Sequence, residues 1–236
     1  MGLISILGNA VRSIVDVICP PVCLGCGFPL RTTNADMLCP DCMVGLRREI
    51  DPSDDNKVTR VFSQNDIPIE YGCCYLSFSK GDISQSIIHN IKYYQHPELG
   101  VKLGRMAGYQ LKRYQRFQDV DYILPVPMHP DKQKKRGFNQ AERISSGIRE
   151  ILGIPIYDGI LQKVINSKSQ TKMNKSERLA NSERIFAANR VEELCQKHFL
   201  IVDDVFTTGS TLMVCARKLH EAMPECKISV FALAKA

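Results

Sequence analysis

The stretch that most constrains this chain runs Phe199-Leu-Ile-Val-Asp-Asp-Val-Phe-Thr-Thr-Gly-Ser-Thr211. Its opening apolar run reads as a strand buried on both faces, of the kind found in the middle of a parallel sheet. Two carboxylates, Asp203 and Asp204, follow at the strand's carboxyl end, where open α/β sheets bind their ligands. Burying both acids without partners is expensive, so partners are expected: hydroxyl groups of a ligand, a metal ion, or both. Thr207, Thr208, Gly209, Ser210 and Thr211 come next, small and rich in hydroxyls, and they open a helix. Gly209 lets the backbone approach an anion closely. Free N–H groups and the positive end of the helix dipole suit a phosphate, and the hydroxyls add donors.

The pattern around this stretch fits such a sheet. Tyr71 to Phe78, Tyr122 to Val126, Ile160 to Ile165, a short piece near Phe186, and Lys227 to Leu233 read as strands. Ile83 to Tyr94, Glu98 to Phe117, Asn139 to Leu152 and Thr211 to Met223 have the three-to-four spacing of amphipathic helices. Strands alternating with helices predict an α/β fold with a parallel sheet covered on both faces. At 236 residues, 44% of them hydrophobic, the chain can build one good core and carry one small appendage. Residues 1–46 are expected to form an N-terminal helix and a cysteine-rich unit, 47–66 a polar linker, and 67–236 the main domain.

A second candidate ligand segment is Leu124-Pro-Val-Pro-Met-His-Pro-Asp-Lys-Gln-Lys-Lys-Arg-Gly-Phe-Asn-Gln140. A strand ends, prolines stiffen the exit, and a basic loop carrying Lys132, Lys134, Lys135 and Arg136 follows. A pyrophosphate carries more charge than one loop of neutral N–H groups can match, so a second loop rich in cations is chemically expected. The wider span from Lys102 to Arg149 holds eleven Lys or Arg against four acids. That excess fits a solvated basic surface or a nucleic-acid face equally well.

Together these segments resemble a known family. The stretch 199–211 is similar to the signature with which type I phosphoribosyltransferases bind phosphoribosyl pyrophosphate (PRPP). "PVPMHP…KKRGFNQAE", the earlier "IIHNIKYYQHPELG" containing Lys92, and Gln170, Arg178, Asn181 and Phe186 resemble the ComF family, known from natural competence. The resemblance implies a type I phosphoribosyltransferase fold, a central mostly parallel sheet flanked by helices, preceded by a small four-cysteine zinc ribbon. It implies that Asp203 and Asp204 hold the ribose hydroxyls with Mg²⁺ nearby, and that Phe206 to Thr211 hold the 5′-phosphate. Lys132, Lys135 and Arg136 would then meet the pyrophosphate. Residues 166–182 lie where the family's mobile lid would be. One departure is the presence of Lys163 and Lys168 where family members usually carry arginines. Lysine keeps the charge but loses the bidentate geometry.

The cysteine-rich unit contains Cys23-Leu-Gly-Cys26 and Cys39-Pro-Asp-Cys42. Two such pairs can grip a tetrahedral Zn²⁺ from two sides, with Gly25, Gly27 and Pro40 allowing tight turns around the thiolates. Four protein ligands leave no open position, so the zinc is expected to be structural. Cys19, Cys73, Cys74, Cys195, Cys215 and Cys226 are expected to be buried thiols. The histidines show no metal spacing; His129 alone sits in the basic loop.

The N-terminal apolar residues Leu3, Leu7, Ala10, Ile14 and Ile18 fall at helical spacing. Arg12 and Asp16 interrupt any signal-peptide core, and no apolar run is long enough to span a bilayer. A cytoplasmic protein without a transmembrane segment is expected. Three roles stand open at this point. The chain is a PRPP- and Mg²⁺-binding transferase serving DNA uptake, or a single-stranded-DNA-binding competence factor that binds PRPP without transfer. The third role is a module for competence-machinery proteins in which the site is a relic.

Overall fold

The computed structural model of the protein describes residues 20–30, 37–48, 50–51, 53–77, 81–93, 96–165 and 185–236. The expected N-terminal helix, Cys19 and the expected lid at 166–182 lie outside the described residues. In chain order the elements are α1 (Pro40–Gly45), α2 (Lys57–Ser63), β1 (Tyr71–Ser77), α3 (Ile83–Tyr93) and α4 (Pro97–Leu111). Then come β2 (Tyr122–Pro125), α5 (Pro130–Arg136), α6 (Gln140–Leu152), β3 (Leu161–Lys163) and β4 (Phe186–Ala188). β5 (His198–Phe206), α7 (Ser210–Ala222) and β6 (Lys227–Lys235) complete the chain. Among the described residues no helix is long and apolar enough to cross a membrane.

The four long strands form one parallel sheet in the order β1-β6-β5-β2. β5 and β6, the two apolar runs, take the centre, where both faces are dry. One face of the sheet carries Leu200, Val202, Phe231 and Leu233 against α3, α4 and α6. The other carries Phe199, Ile201 and Val230 against α2 and α7. β3 and β4 form a separate antiparallel pair.

Three elements differ from expectation. α2 lies in the stretch read as a linker; its polar sequence hides Val58 and Phe62, which are buried against the sheet. Asn56 caps that helix by accepting from the Val58 and Thr59 N–H groups. The helix expected over Glu98 to Phe117 stops at Leu111. The chain then turns down across the amino end of the sheet, where Phe117 packs edge-on against Tyr71 at 5.5 Å between ring centres. The basic loop is in fact the short helix α5. Pro130 at its start is preset for a helix, and Gly137 ends it with φ +88°.

α4 and α6 cross at backbone contact. A Cβ on Gly104 would lie 2.2 Å from the Ile144 carbonyl oxygen, and one on Gly147 would lie 2.1 Å from the Val101 carbonyl oxygen. No side chain fits at either position. The crossing seats α6 behind β2 and so fixes where the segment between β2 and α6 emerges.

Candidate phosphosugar site and cysteine centre

At the carboxyl end of the sheet, β5 outlasts its neighbour β2. Pairing with β2 ends at Pro125 opposite Val202, whereas pairing with β6 continues through Asp203 to Phe206. The two acids therefore stand where the exits of β5 and β2 part, the crevice in which such sheets bind ligands. Successive residues of a strand point to opposite faces, and two lysines from different elements approach the acid pair. The Lys92 ammonium of α3 is 3.2 Å from Asp204 Oδ2. Lys163, at the end of β3, lies near Asp203 and rests 4.9 Å above the Phe186 ring. Burial pushes the Lys163 ammonium down and Lys132 adds to that, while Asp203 opposes both. Burial first, and then the neighbouring Asp204 carboxylate, raise Asp203 to about 7; donation from the Asp204 N–H to Asp203 Oδ1 at 2.8 Å works against the rise.

The loop after the acids has the expected form. Gly209 caps α7 in the left-handed region, φ +77°, and a Cβ there would lie 2.6 Å from the Phe206 ring. Phe206 itself is buried: its ring supports the loop from beneath and offers no side-chain atom to a ligand. Thr207, Thr208 and Ser210 are exposed and Thr211 half-buried. The Thr208 hydroxyl donates to Ser210 Oγ at 3.2 Å and accepts from the Ser210 N–H at 3.4 Å. Gly209 has no side chain to cap α7, so beyond the Ser210 N–H held by Thr208 the first N–H groups of the helix suit an anion.

On α5, Lys132, Lys135 and Arg136 stand three and four residues apart and so share one helix face. Lys132 reaches the neighbourhood of Lys163 and hence of the acids. His129 is taken up by its own helix: Nδ1 accepts from the Asp131 N–H at 3.2 Å and lies 3.4 Å from the Asp131 carboxylate. Lys92 and Lys163 were not among the residues assigned to the site from sequence. Lys92 stood within a family-like motif and Lys163 was noted as a departure; neither signal gave its place beside an acid.

The residues suit Mg²⁺ with a phosphorylated ligand. Asp203 and Asp204 are hard oxygen donors, and the nearby lysines match phosphate charge.

In the N-terminal unit all four Sγ atoms of Cys23, Cys26, Cys39 and Cys42 lie within 4.8 Å of one another. Cys26 and Cys39 are 3.8 Å apart. Tetrahedral Zn–S bonds of about 2.3 Å require sulfurs about 3.8 Å apart, so the cluster fits zinc. Backbone N–H groups of Gly25 and Cys39 donate to Cys23 Sγ at 3.4 and 3.2 Å, and that of Cys42 to Cys39 Sγ at 3.4 Å. Burial alone would raise the Cys23 thiol, but donation from Cys39, Cys26 and Gly25 lowers it to about 6. A Cβ on Gly25 would lie 2.8 Å from Cys42 Sγ, so the first turn closes only with glycine. The unit is not free-standing. Asn90 of α3 donates to the Leu24 carbonyl at 2.7 Å, and Cys23, Leu38 and Cys42 join the core on that side of the sheet. Cys73, Cys74, Cys195, Cys215 and Cys226 are all buried free thiols, as expected.

A further constellation at the opposite end of the sheet has the outline of a hydrolase triad. His198 Nε2 is 2.9 Å from Ser229 Oγ, and its Nδ1 is 3.2 Å from Asp119 Oδ1. Ser229 is fully buried between strands, so no substrate can reach it.

Comparison with known proteins bears on the acid site. The phosphoribosyl transferase domain family matches residues 134–236, which include β5, the acids, the loop and α7. Competence protein F of Haemophilus influenzae is 32% identical over 132 residues, 56% of this chain and 57% of that protein. Competence protein ComFC of Bacillus subtilis is 33% identical over 120 residues, 50% of this chain and 46% of its own length. Over about half its length the chain is thus similar to these competence proteins. A further relative, the DNA utilization protein YhgH of Salmonella typhimurium, is 28% identical over 137 residues, 56% of this chain and 59% of that protein. The chain thus spans about half the length of the curated relatives it matches. The parallel sheet flanked by helices is that of the phosphoribosyltransferases, and the cysteine cluster fits an N-terminal ribbon.

Proposed function

We propose that this chain is a ComF-family protein that binds PRPP with Mg²⁺ at the carboxyl end of β5 and acts, as a phosphoribosyltransferase, in the uptake and use of DNA. One observation carries the reading: two adjacent carboxylates, with Lys92 and Lys163 beside them, precede a hydroxyl-rich loop that opens α7 after a left-handed glycine. In this reading Asp203 and Asp204 hold the ribose hydroxyls. The N–H groups and hydroxyls of Thr207, Thr208, Gly209, Ser210 and Thr211 hold the 5′-phosphate, with Phe206 as the support beneath. Lys132, Lys135 and Arg136 meet the pyrophosphate. Mg²⁺, when bound, offsets charge on the leaving pyrophosphate.

The protein's contribution to transfer is position and charge. Fixed carboxylates beside C1 favour the positive charge that develops on the sugar as the bond to pyrophosphate loosens. Cations on α5 favour the negative charge that develops on the leaving group. The DNA role rests on the names of the relatives, Competence protein F, ComFC and DNA utilization protein YhgH.

The test is calorimetric titration of PRPP into zinc-loaded protein with and without Mg²⁺, repeated on D203N/D204N. Mg²⁺-dependent binding in the wild type that falls at least a hundredfold in the variant supports the reading. No binding by the wild type overturns it.

A second reading, a PRPP-binding protein that handles single-stranded DNA without transfer, is favoured by one surface. Tyr109 is 62% exposed on α4, with Lys112 and Arg113 one turn after it and Arg105, itself paired with Glu150, one turn before it. An aromatic ring between cations suits a stacked base flanked by phosphates. Single-strand affinity that falls steeply with salt and drops in Y109A supports it. Salt-insensitive or absent binding removes it.

A further inference from the structure

Asp203 and Asp204 stand side by side at the end of a central strand, and charge alone makes such a pair attractive to any divalent cation. The described structure shows what meets them. Asp203 lies near both Lys92 and Lys163 and near the buried Cys215 thiol, and Lys132 stands near Lys163. Asp204 faces Lys92, at 3.2 Å. The Lys92 and Asp204 side chains are 27% and 16% exposed, so this pair is largely withdrawn from water. Neither partner is free to drift. Asp204 lies between Asp203 and Val205, both paired with β6, and Lys92 belongs to the last turn of α3, which is anchored in the core through Ile87, Ile88 and Ile91. The two residues come from distant parts of the chain, so the contact is made by the fold rather than by a local turn.

We propose that Lys92 is a tethered counter-ion that keeps divalent metal off the acid pair until a polyanionic ligand arrives. The inference rests on the reading that Asp203 and Asp204 receive Mg²⁺ and PRPP. A free divalent cation approaching Asp204 must displace an ammonium already within hydrogen-bond distance. It offers that ammonium no new partner and repels it. A metal bound to PRPP arrives differently, because the complex carries net negative charge. Its phosphate oxygens give Lys92 a new acceptor as Asp204 is released to the sugar and metal. The sign of the incoming charge therefore decides whether the exchange is opposed or assisted.

The experiment measures Mn²⁺ binding by the electron paramagnetic resonance signal of the free ion. The zinc-loaded proteins are wild type, K92M, K92R and K92M/D204N, with K227M as a charge control at the exposed first residue of β6. Each is titrated with Mn²⁺ alone and then with PRPP present. Methionine keeps the length of the lysine stem, and K92Q serves the same test if K92M does not fold. Without PRPP, K92M is expected to bind Mn²⁺ at least tenfold more tightly than the wild type. K92R and K227M should match the wild type, and D204N should abolish the gain. An unchanged Mn²⁺ affinity in a folded K92M or K92Q overturns the proposal, as does a gain that survives D204N. A gain in K92M with no PRPP response in any variant upholds the counter-ion and removes the PRPP reading, so the two fail separately.

Discussion

Replacing Gly209 by alanine tests two demands that the structure places on one residue. The first is conformational: φ is +77°, a region in which an L side chain costs about 1–2 kcal/mol. The second is steric: the new Cβ lies 2.6 and 2.7 Å from two atoms of the Phe206 ring, which is itself held in the core. Overpacking a buried contact of this kind costs about 1–3 kcal/mol. Alanine also restricts the unfolded chain, which returns roughly 0.4–1 kcal/mol. The net loss for G209A is therefore about 2–4 kcal/mol, or roughly 4–16 °C in Tm at about 2–4 °C per kcal/mol for a chain of this size. Gly137 supplies the comparison, because it has φ +88° but nothing within 4 Å of its Cβ position. G137A should show only the conformational part, about 1 kcal/mol. The difference between the two variants isolates the contact with Phe206. Shortening the ring in F206L should remove that difference, giving a coupling of about 1–3 kcal/mol in the double-mutant cycle. The assay is urea or thermal unfolding of the four proteins, with PRPP titration on those that fold. Equal losses in G209A and G137A, or a loss in G209A untouched by F206L, would refute the claim that Phe206 shapes the loop.

Three further outcomes are expected. Purified protein should contain about one zinc per chain, and both a strong chelator and C39S should release it and lower Tm, as metal analysis and melting will show. Because Asp203 is raised to about 7 in the folded protein, its neutral form is the one the fold favours. Its contribution to stability is thus full at low pH and is lost as pH rises from the ordinary carboxylate range through about 7. The unliganded protein should accordingly lose stability over that window, D203N should flatten the loss, and Mg²⁺–PRPP binding should strengthen with pH while releasing a proton to the buffer. At the helix crossing, G104A gains helix propensity of about 1 kcal/mol but forces a Cβ to 2.2 Å from a carbonyl oxygen that no rotamer change can move. It should therefore destabilise by at least about 2 kcal/mol, more than G108A, whose nearest neighbour is the side chain of Ile151 at 2.9 Å, and more than G100A at 3.1 Å from Arg143 Cβ. Melting temperatures in the reverse order would contradict the packing argument.

The acids, the hydroxyl loop and the start of α7 were legible because their chemistry is local. An apolar run, two carboxylates, a glycine and a helix start follow one another without a break, and each residue constrains the next. The cysteine pairs were legible for the same reason: thiols at short spacing can reach one ion whatever surrounds them. The scattered thiols followed from side-chain polarity alone. α2 was hidden because a short polar stretch with two apolar residues is a loop until a sheet face exists for Val58 and Phe62 to cover. α5 was hidden because a highly charged segment of seven residues has no apolar face to announce it; its preset proline and terminal glycine define its ends. Tertiary structure alone decided the rest. Lys92 reaches Asp204, and Lys163 reaches Asp203, because α3 and β3 leave the sheet on its two sides and return to the same end of β5. Gly104 and Gly147 matter because two helix backbones touch there. Such contacts join residues far apart in the chain, and their pairing is set by how whole elements pack, which no local pattern of residues encodes.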